Sequence, residues 1–153
     1  MLKRIPIFNI LVVIVFALVI GLIVFIVWAL MLRTEYKDTA FEINKAFLTD
    51  SSVTIIRGEE SFPVSTDDAE YYNMFLLDNN TVVFSKDVVP VTDDTITIDF
   101  GEEQLSFTGY DDGSATAILW KTQENQKHFI VRSAITFRQL SAYYKNIERN
   151  HKA

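Results

Sequence analysis

The sequence predicts an α+β protein, with a single N-terminal transmembrane helix followed by a small domain whose antiparallel β-meander sheet is packed by two or three helices. Three observations carry that reading. Residues 10–32 hold no charged side chain. Short apolar-alternating segments separated by turn residues fill most of 51–132. Apolar stripes at helical spacing flank them near 36–47 and 137–147.

The apolar run sets the organisation. As a helix, residues 10–32 span roughly 35 Å, enough to cross a bilayer core of about 30 Å. Pro6 stands where the helix opens and its missing N–H is tolerated, and Trp28 and Tyr36 suit the far interface. A cleaved signal peptide has a shorter apolar stretch, roughly 7–15 residues, ending at small residues. Here "FIVWALML" is bulky. The segment is therefore expected to be retained as a signal anchor, touching the lipid bilayer through 10–32. The domains read as a short basic tail at 1–9, the membrane helix at 10–32, a juxtamembrane helix at 33–50 and a soluble α+β domain at 51–153.

Lys3 and Arg4 precede the span, and Arg33, Lys37 and Lys45 follow it. A short basic N-terminus before one span stays in the cytoplasm, so the C-terminal domain is expected outside it, at the cell membrane. Ala17 and Gly21 make one small-xxx-small step on which a second membrane helix can pack.

After the span, Tyr36, Ala40, Ile43 and Phe47 recur at three to four residues and predict one helix face. "SSVTIIRG" reads as a strand ending at Gly58. The stretch from Phe62 to Asn80 contains the next helix, capped by Ser65 or Thr66 and closed by "DNN", with Asp67, Asp68 and Glu70 in its first turn and Tyr72, Phe75 and Leu76 facing the core. "TVVFSK" and "VVPV" follow as strands, Pro90 marking an edge or a break. "TITIDF" alternates Ile96, Ile98 and Phe100, "QLSFTGY" turns Leu105 and Phe107 inward, and "DDGS" is a hairpin signal. "ATAILWKT" and "KHFIVRS" complete the meander. The last helix carries Phe137, Leu140, Tyr144 and Ile147, with Thr136 and Gln139 as a capping pair.

Composition narrows the function classes. Beyond residue 32 stand twelve basic and twenty acidic residues, a formal balance of −8. That argues against nucleic acid, which requires clustered Lys and Arg. The chain has no cysteine, which excludes disulfides, thiolate nucleophiles and a lipid-bearing Cys anchor. With twelve Phe and six Tyr a packed core is expected.

Five adjacent acidic pairs occur, each at a turn or a helix start, where Asp and Glu are expected on local grounds. The sharpest site hypothesis joins two hairpin tips, Asp93 and Asp94 with Asp111 and Asp112, as four carboxylates for a divalent metal ion. Tyr110 and Trp120 flank the "DDGS" hairpin and are candidates for an exposed partner-binding patch, although aromatics more often complete a core. His128 and His151 accompany no nucleophile motif, and no glycine loop suits a phosphate. No cofactor is expected.

These readings predict a membrane-tethered, extracytoplasmic interaction or accessory module without catalysis, with a membrane or cell-envelope protein as partner. A ligand- or divalent-cation-sensing anchored domain is the alternative. A minor-pilin-like component is the second, although the sequence lacks the Gly-Phe-Thr-Leu-x-Glu pattern at the start of the span.

Overall fold

The structure, a computed structural model, describes residues 7–50, 52–78, 80–83, 94–110, 113 and 115–152. It resolves into two compact units, residues 1–35 and 36–153. The first is the apolar part of α1 (Ile7–Thr49), a helix long and apolar enough to cross a membrane. Its Phe, Leu, Ile and Val side chains are largely exposed, as at Phe16, Leu18 and Leu22. No helix break separates residues 10–32 from 33–49, since neither Pro nor Gly interrupts that stretch beyond Gly21.

The second unit is α+β. Among the described residues it contains seven strands in one sheet, all pairings antiparallel. They are β1 (Ser52–Arg57), β2 (Glu60–Ser65), β3 (Thr81–Val83), β4 (Thr95–Asp99), β5 (Gln104–Gly109), β6 (Thr116–Lys121) and β7 (Gln126–Arg132), in the spatial order β2-β1-β4-β5-β6-β7-β3. The expected meander is the run β4 to β7. β1 and β2 form a hairpin beside β4, and β3 closes the far edge on β7.

β2 is a strand that the sequence reading did not predict; that reading placed only a helix, capped at Ser65 or Thr66, within residues 62–80. Gly58, at φ 57°, supplies the left-handed turn that sends the chain back along β1. Phe62 and Val64 then pair with Ile55 and Val53 on one face. Pro63 is tolerated within the strand because β2 is an edge. The helix itself, α2 (Glu70–Leu77), starts later. Ser65 caps the preceding turn instead, its Oγ accepting from Asp68 N at 3.1 Å, while the N-cap Ala69 has no side-chain cap.

Period-two alternation puts Ile55, Ile98, Leu105 and Trp120 on one sheet face in register, with Ile96, Phe107, Ile118 and Phe129 in the next row. All eight are buried, and three helical segments cover them. The stripe Tyr36, Ala40, Ile43 and Phe47 lays the end of α1 over the β6–β7 side, where Tyr36 meets Phe129 edge to face at 5.4 Å. Tyr72 and Phe75 of α2 hold Phe107 between rings at 5.7 and 5.5 Å. Leu140, Tyr144 and Ile147 bury α3 (Phe137–Lys152) over the β1–β2 side, Phe62 lying 5.7 Å from Tyr144. The predicted cap of α3 is present: Thr136 N donates to Gln139 Oε1 at 2.8 Å.

Polar contacts fix the helices laterally. Tyr36 Oη donates to Leu76 O at 3.1 Å and accepts from Asn80 Nδ2 at 2.7 Å. Asn73 Nδ2 donates to Asn44 Oδ1 at 2.7 Å, pinning α2 to α1. On the opposite sheet face the hydroxyls of Thr95 and Thr108 lie 2.8 Å apart, and those of Thr97 and Ser106 2.9 Å apart. These cross-strand pairs let polar side chains be buried in the middle of the sheet.

Candidate functional site

A cavity of about 590 Å3 opens at one end of the sheet in the second unit. Three chain segments wall it: the last turns of α1, the β4–β5 turn and the β6–β7 turn. The meander explains the convergence. Turns β4–β5 and β6–β7 fall on the same end because successive antiparallel connections alternate. The stripe centred on Phe47 brings α1 down onto that end, where its ring meets Phe100 edge to face at 5.0 Å.

The walls carry five carboxylates, Glu42, Asp50, Glu102, Glu103 and Glu124, against two ammonium groups, Lys45 and Lys127. Lys127 already pairs with Glu42, Nζ to Oε2 at 2.9 Å, so the cavity holds a net negative field. The α1 C-terminus adds to it. Its last turn contains no basic residue, and unmatched helix carbonyls carry about half a negative charge. Glu103 registers the field. Burial first, then the neighbouring Glu42, Asp50 and Glu102, push its carboxyl above the ordinary range, while Lys45 acts in the opposite sense.

Trp120 also borders the cavity, but its side chain is packed into the core and the residue is 1 % exposed. It meets Phe100 edge to face at 5.9 Å. Its Nε1 is buried and has no hydrogen-bond partner among the described residues. An indole N–H left this way loses its water without compensation, at a cost of about 1–3 kcal/mol.

The residues singled out by sequence are distributed otherwise. Asp93, Asp111 and Asp112 lie outside the described residues. Asp94 is described: the register places it at the sheet end that also holds the β5–β6 connection, and its Oδ1 sits 3.6 Å from Arg57 Nη2. Among the described residues no group of three or more His, Asp or Glu side chains is arranged to hold a metal ion. Trp120 and Tyr110 do not make one exposed patch. Trp120 pairs with Leu105 on the helix-covered face near the cavity, whereas Tyr110 follows Gly109 at the other end of β5. Ala17 and Gly21 lie in the apolar half of α1, and a Cβ at Gly21 meets nothing within 4 Å.

His128 stands on the sheet face opposite the helices, across from Leu119. Burial lowers its tendency to protonate. A second cluster gathers on α3. Arg57 Nη1 donates to Ser141 Oγ at 2.7 Å and its guanidinium lies 5.2 Å from the centre of the Tyr144 ring. Lys152 Nζ bridges Glu60 and Glu148. These contacts hold α3 to the β1–β2 hairpin, and Glu148 and Lys152 also line a shallow cavity with Lys145 and Arg149.

The cavity was not legible as a site in the sequence. Its carboxylates come from positions 42–50, 102–103 and 124, each ordinary in its own turn or helix. The one available signal was the Glu102–Glu103 pair beside a helix that ends without a basic residue. Set against known proteins, the chain matches no family model, no curated protein and no solved structure.

Proposed function

We propose that this chain is a single-pass membrane protein whose C-terminal α+β domain lies outside the cytoplasm and serves as an interaction or accessory module, without chemistry of its own. The observation that carries the membrane half is the exposure of the apolar half of α1, where side chains such as Leu18 at 68 % and Leu22 at 59 % face no protein. Each such side chain gains about 1.5–3 kcal/mol on leaving water, so an apolar medium is the stable environment for the run. The bilayer fits it in length and in its lack of charge. Lys3 and Arg4 ahead of the run favour a cytoplasmic N-terminus.

The interaction half is supported by the cavity and its charge. Alkaline carbonate washing of membranes, followed by protease shaving of intact cells bearing a C-terminal tag, tests the reading. The chain is expected to stay in the pellet and the tag to be removed from outside. Release into the supernatant, or a tag protected until the cells are lysed, overturns it. Crosslinking in the same membranes is expected to trap a protein partner.

A further inference from the structure

We infer that the outer face shared by α1 and α2 is a docking surface for a second copy of this chain, each copy laying its α1 row on the α2 row of the other. The inference rests on the membrane reading above and names one partner of the interaction module.

Exposure defines the face. Among the described residues of the second unit, the large apolar side chains left in solvent are Phe41, Leu48, Met74 and Leu77, each more than half exposed. They are not scattered. Phe41, Lys45 and Leu48 follow one another at four and three residues, and so do Glu70, Met74 and Leu77, so each set is one row on its helix. Asn44 and Asn73, joined by their 2.7 Å hydrogen bond, stand next to these rows and hold them side by side. Tyr36 meets Leu76 while Asn44 meets Asn73, so the two helices run antiparallel. A single exposed apolar residue is ordinary, whereas four on adjoining rows form a patch of the kind that marks an interaction site.

Charge selects the occupant. The α1 row carries one charge, on Lys45, and the α2 row carries one, on Glu70, and both residues are exposed. Among the described residues no salt bridge engages either of them. The face is thus complementary to itself, apolar and basic on one helix, apolar and acidic on the other, as a patch shared by two identical subunits has to be. A two-fold axis parallel to this stretch of α1 brings each α1 row over the partner's α2 row. It also leaves both chains entering the domain from the same side, as two copies anchored in one bilayer do. Four side chains cover less than the about 800 Å2 per partner of a free-standing complex. A shared membrane offsets that difference by holding the copies at high effective concentration.

The sequence has no cysteine, so an introduced one reports alone. Two differently tagged full-length copies, Phe41→Cys and Leu77→Cys, are co-expressed and their membranes treated with a short bis-maleimide. The expected product is the mixed dimer carrying both tags, in excess of either self-crosslink. Glu59→Cys, on the β1–β2 turn, gives the background. Lys45→Glu in both copies is expected to cut the mixed product about tenfold by repulsion from Glu70. Adding Glu70→Lys is expected to restore it, which a folding defect would not allow.

Self-crosslinking of Phe41→Cys in place of the mixed product overturns the pairing of α1 with α2. A mixed product no stronger than the background overturns the second copy: an adduct of another mass then assigns the face to a different protein, and protection of both cysteines from a water-soluble maleimide assigns it to lipid. In each of these cases a chain that still pellets through the carbonate wash keeps the membrane reading. A chain released by that wash removes both.

Discussion

Gly109 on β5 lies directly beneath Phe137, the first residue of α3. A Cβ built on Gly109 falls 2.6 Å from the ring's Cγ, well inside van der Waals contact. The backbone of β5 and the start of α3 approach this closely because position 109 has no side chain. Gly109→Ala is therefore expected to lose about 1–3 kcal/mol by overpacking. Gly21→Ala, where nothing lies within 4 Å, leaves the melting of the second unit unchanged. Thermal denaturation of the two variants separates these outcomes.

The central row of the sheet is expected to dominate stability. Ile98 is fully buried between Ile55 and Leu105. Ile98→Ala should cost about 2–5 kcal/mol. Ile56 on the opposite face is only half-buried, and Ile56→Ala should cost clearly less. Urea midpoints at constant slope give the comparison.

Tyr36 both donates to Leu76 O and accepts from Asn80 Nδ2. Tyr36→Phe should cost about 1–2 kcal/mol through the unpaired groups it leaves. Burial pushes this hydroxyl from 10.0 up to about 12. An acid whose folded pKa is raised contributes stability that is complete below its unfolded pKa and is lost as pH climbs through the folded one. The Y36F protein should therefore lose less stability than wild type between pH 10 and about 12, read from urea melts across that window.

Glu103 titrates with the same sign in the acidic range. Its carboxyl is raised by burial and by Glu42, Asp50 and Glu102, so its contribution is present below the ordinary carboxylate pKa and lost as pH rises through the raised value. Glu103→Gln should raise the melting temperature at neutral pH. The difference should vanish in acid, where the wild-type carboxyl is already neutral.

Arg57 and Asp94 separate packing from surface charge. Arg57 touches Ser141 and the Tyr144 ring, while Asp94 is 81 % exposed. Arg57→Ala should cost about 1–2 kcal/mol through lost packing and the lost hydrogen bond. Asp94→Asn should cost no more than about 0.5 kcal/mol and be insensitive to salt above physiological strength. A chemical-denaturation series at two salt concentrations measures both.

What was legible in the sequence follows the strength of each local pattern. The stripe 36–47, the alternation in Ile96 and Ile98, and the Thr136–Gln139 cap each have one dominant physical cause and appear as expected. β2 was hidden because only Phe62 and Val64 alternate, with Pro63 between them. Its status as a strand depends on β1 across the Gly58 turn and on an edge position that no local window reveals. Trp120 was ambiguous for a similar reason. Its place in the core depends on Leu105 and Phe100 beside it, and its contact with the cavity on α1, more than seventy residues earlier. The carboxylates of that cavity are each normal for their position, and only the topology brings them together.

The strand order also bears on how the chain folds. β4 to β7 join neighbour to neighbour, whereas β1 and β3 dock onto the two sides of that run across long stretches of sequence. Short loops close at little entropic cost and long ones at more, so the four-strand block assembles first and its flanks arrive last. On a ribosome the order is reversed: the β1–β2 hairpin can close on its own short turn, but it emerges before the four-strand block it docks on has been made. The β1–β2 hairpin therefore waits for β4, which ends at residue 99, and β3 waits for β7, which ends at residue 132.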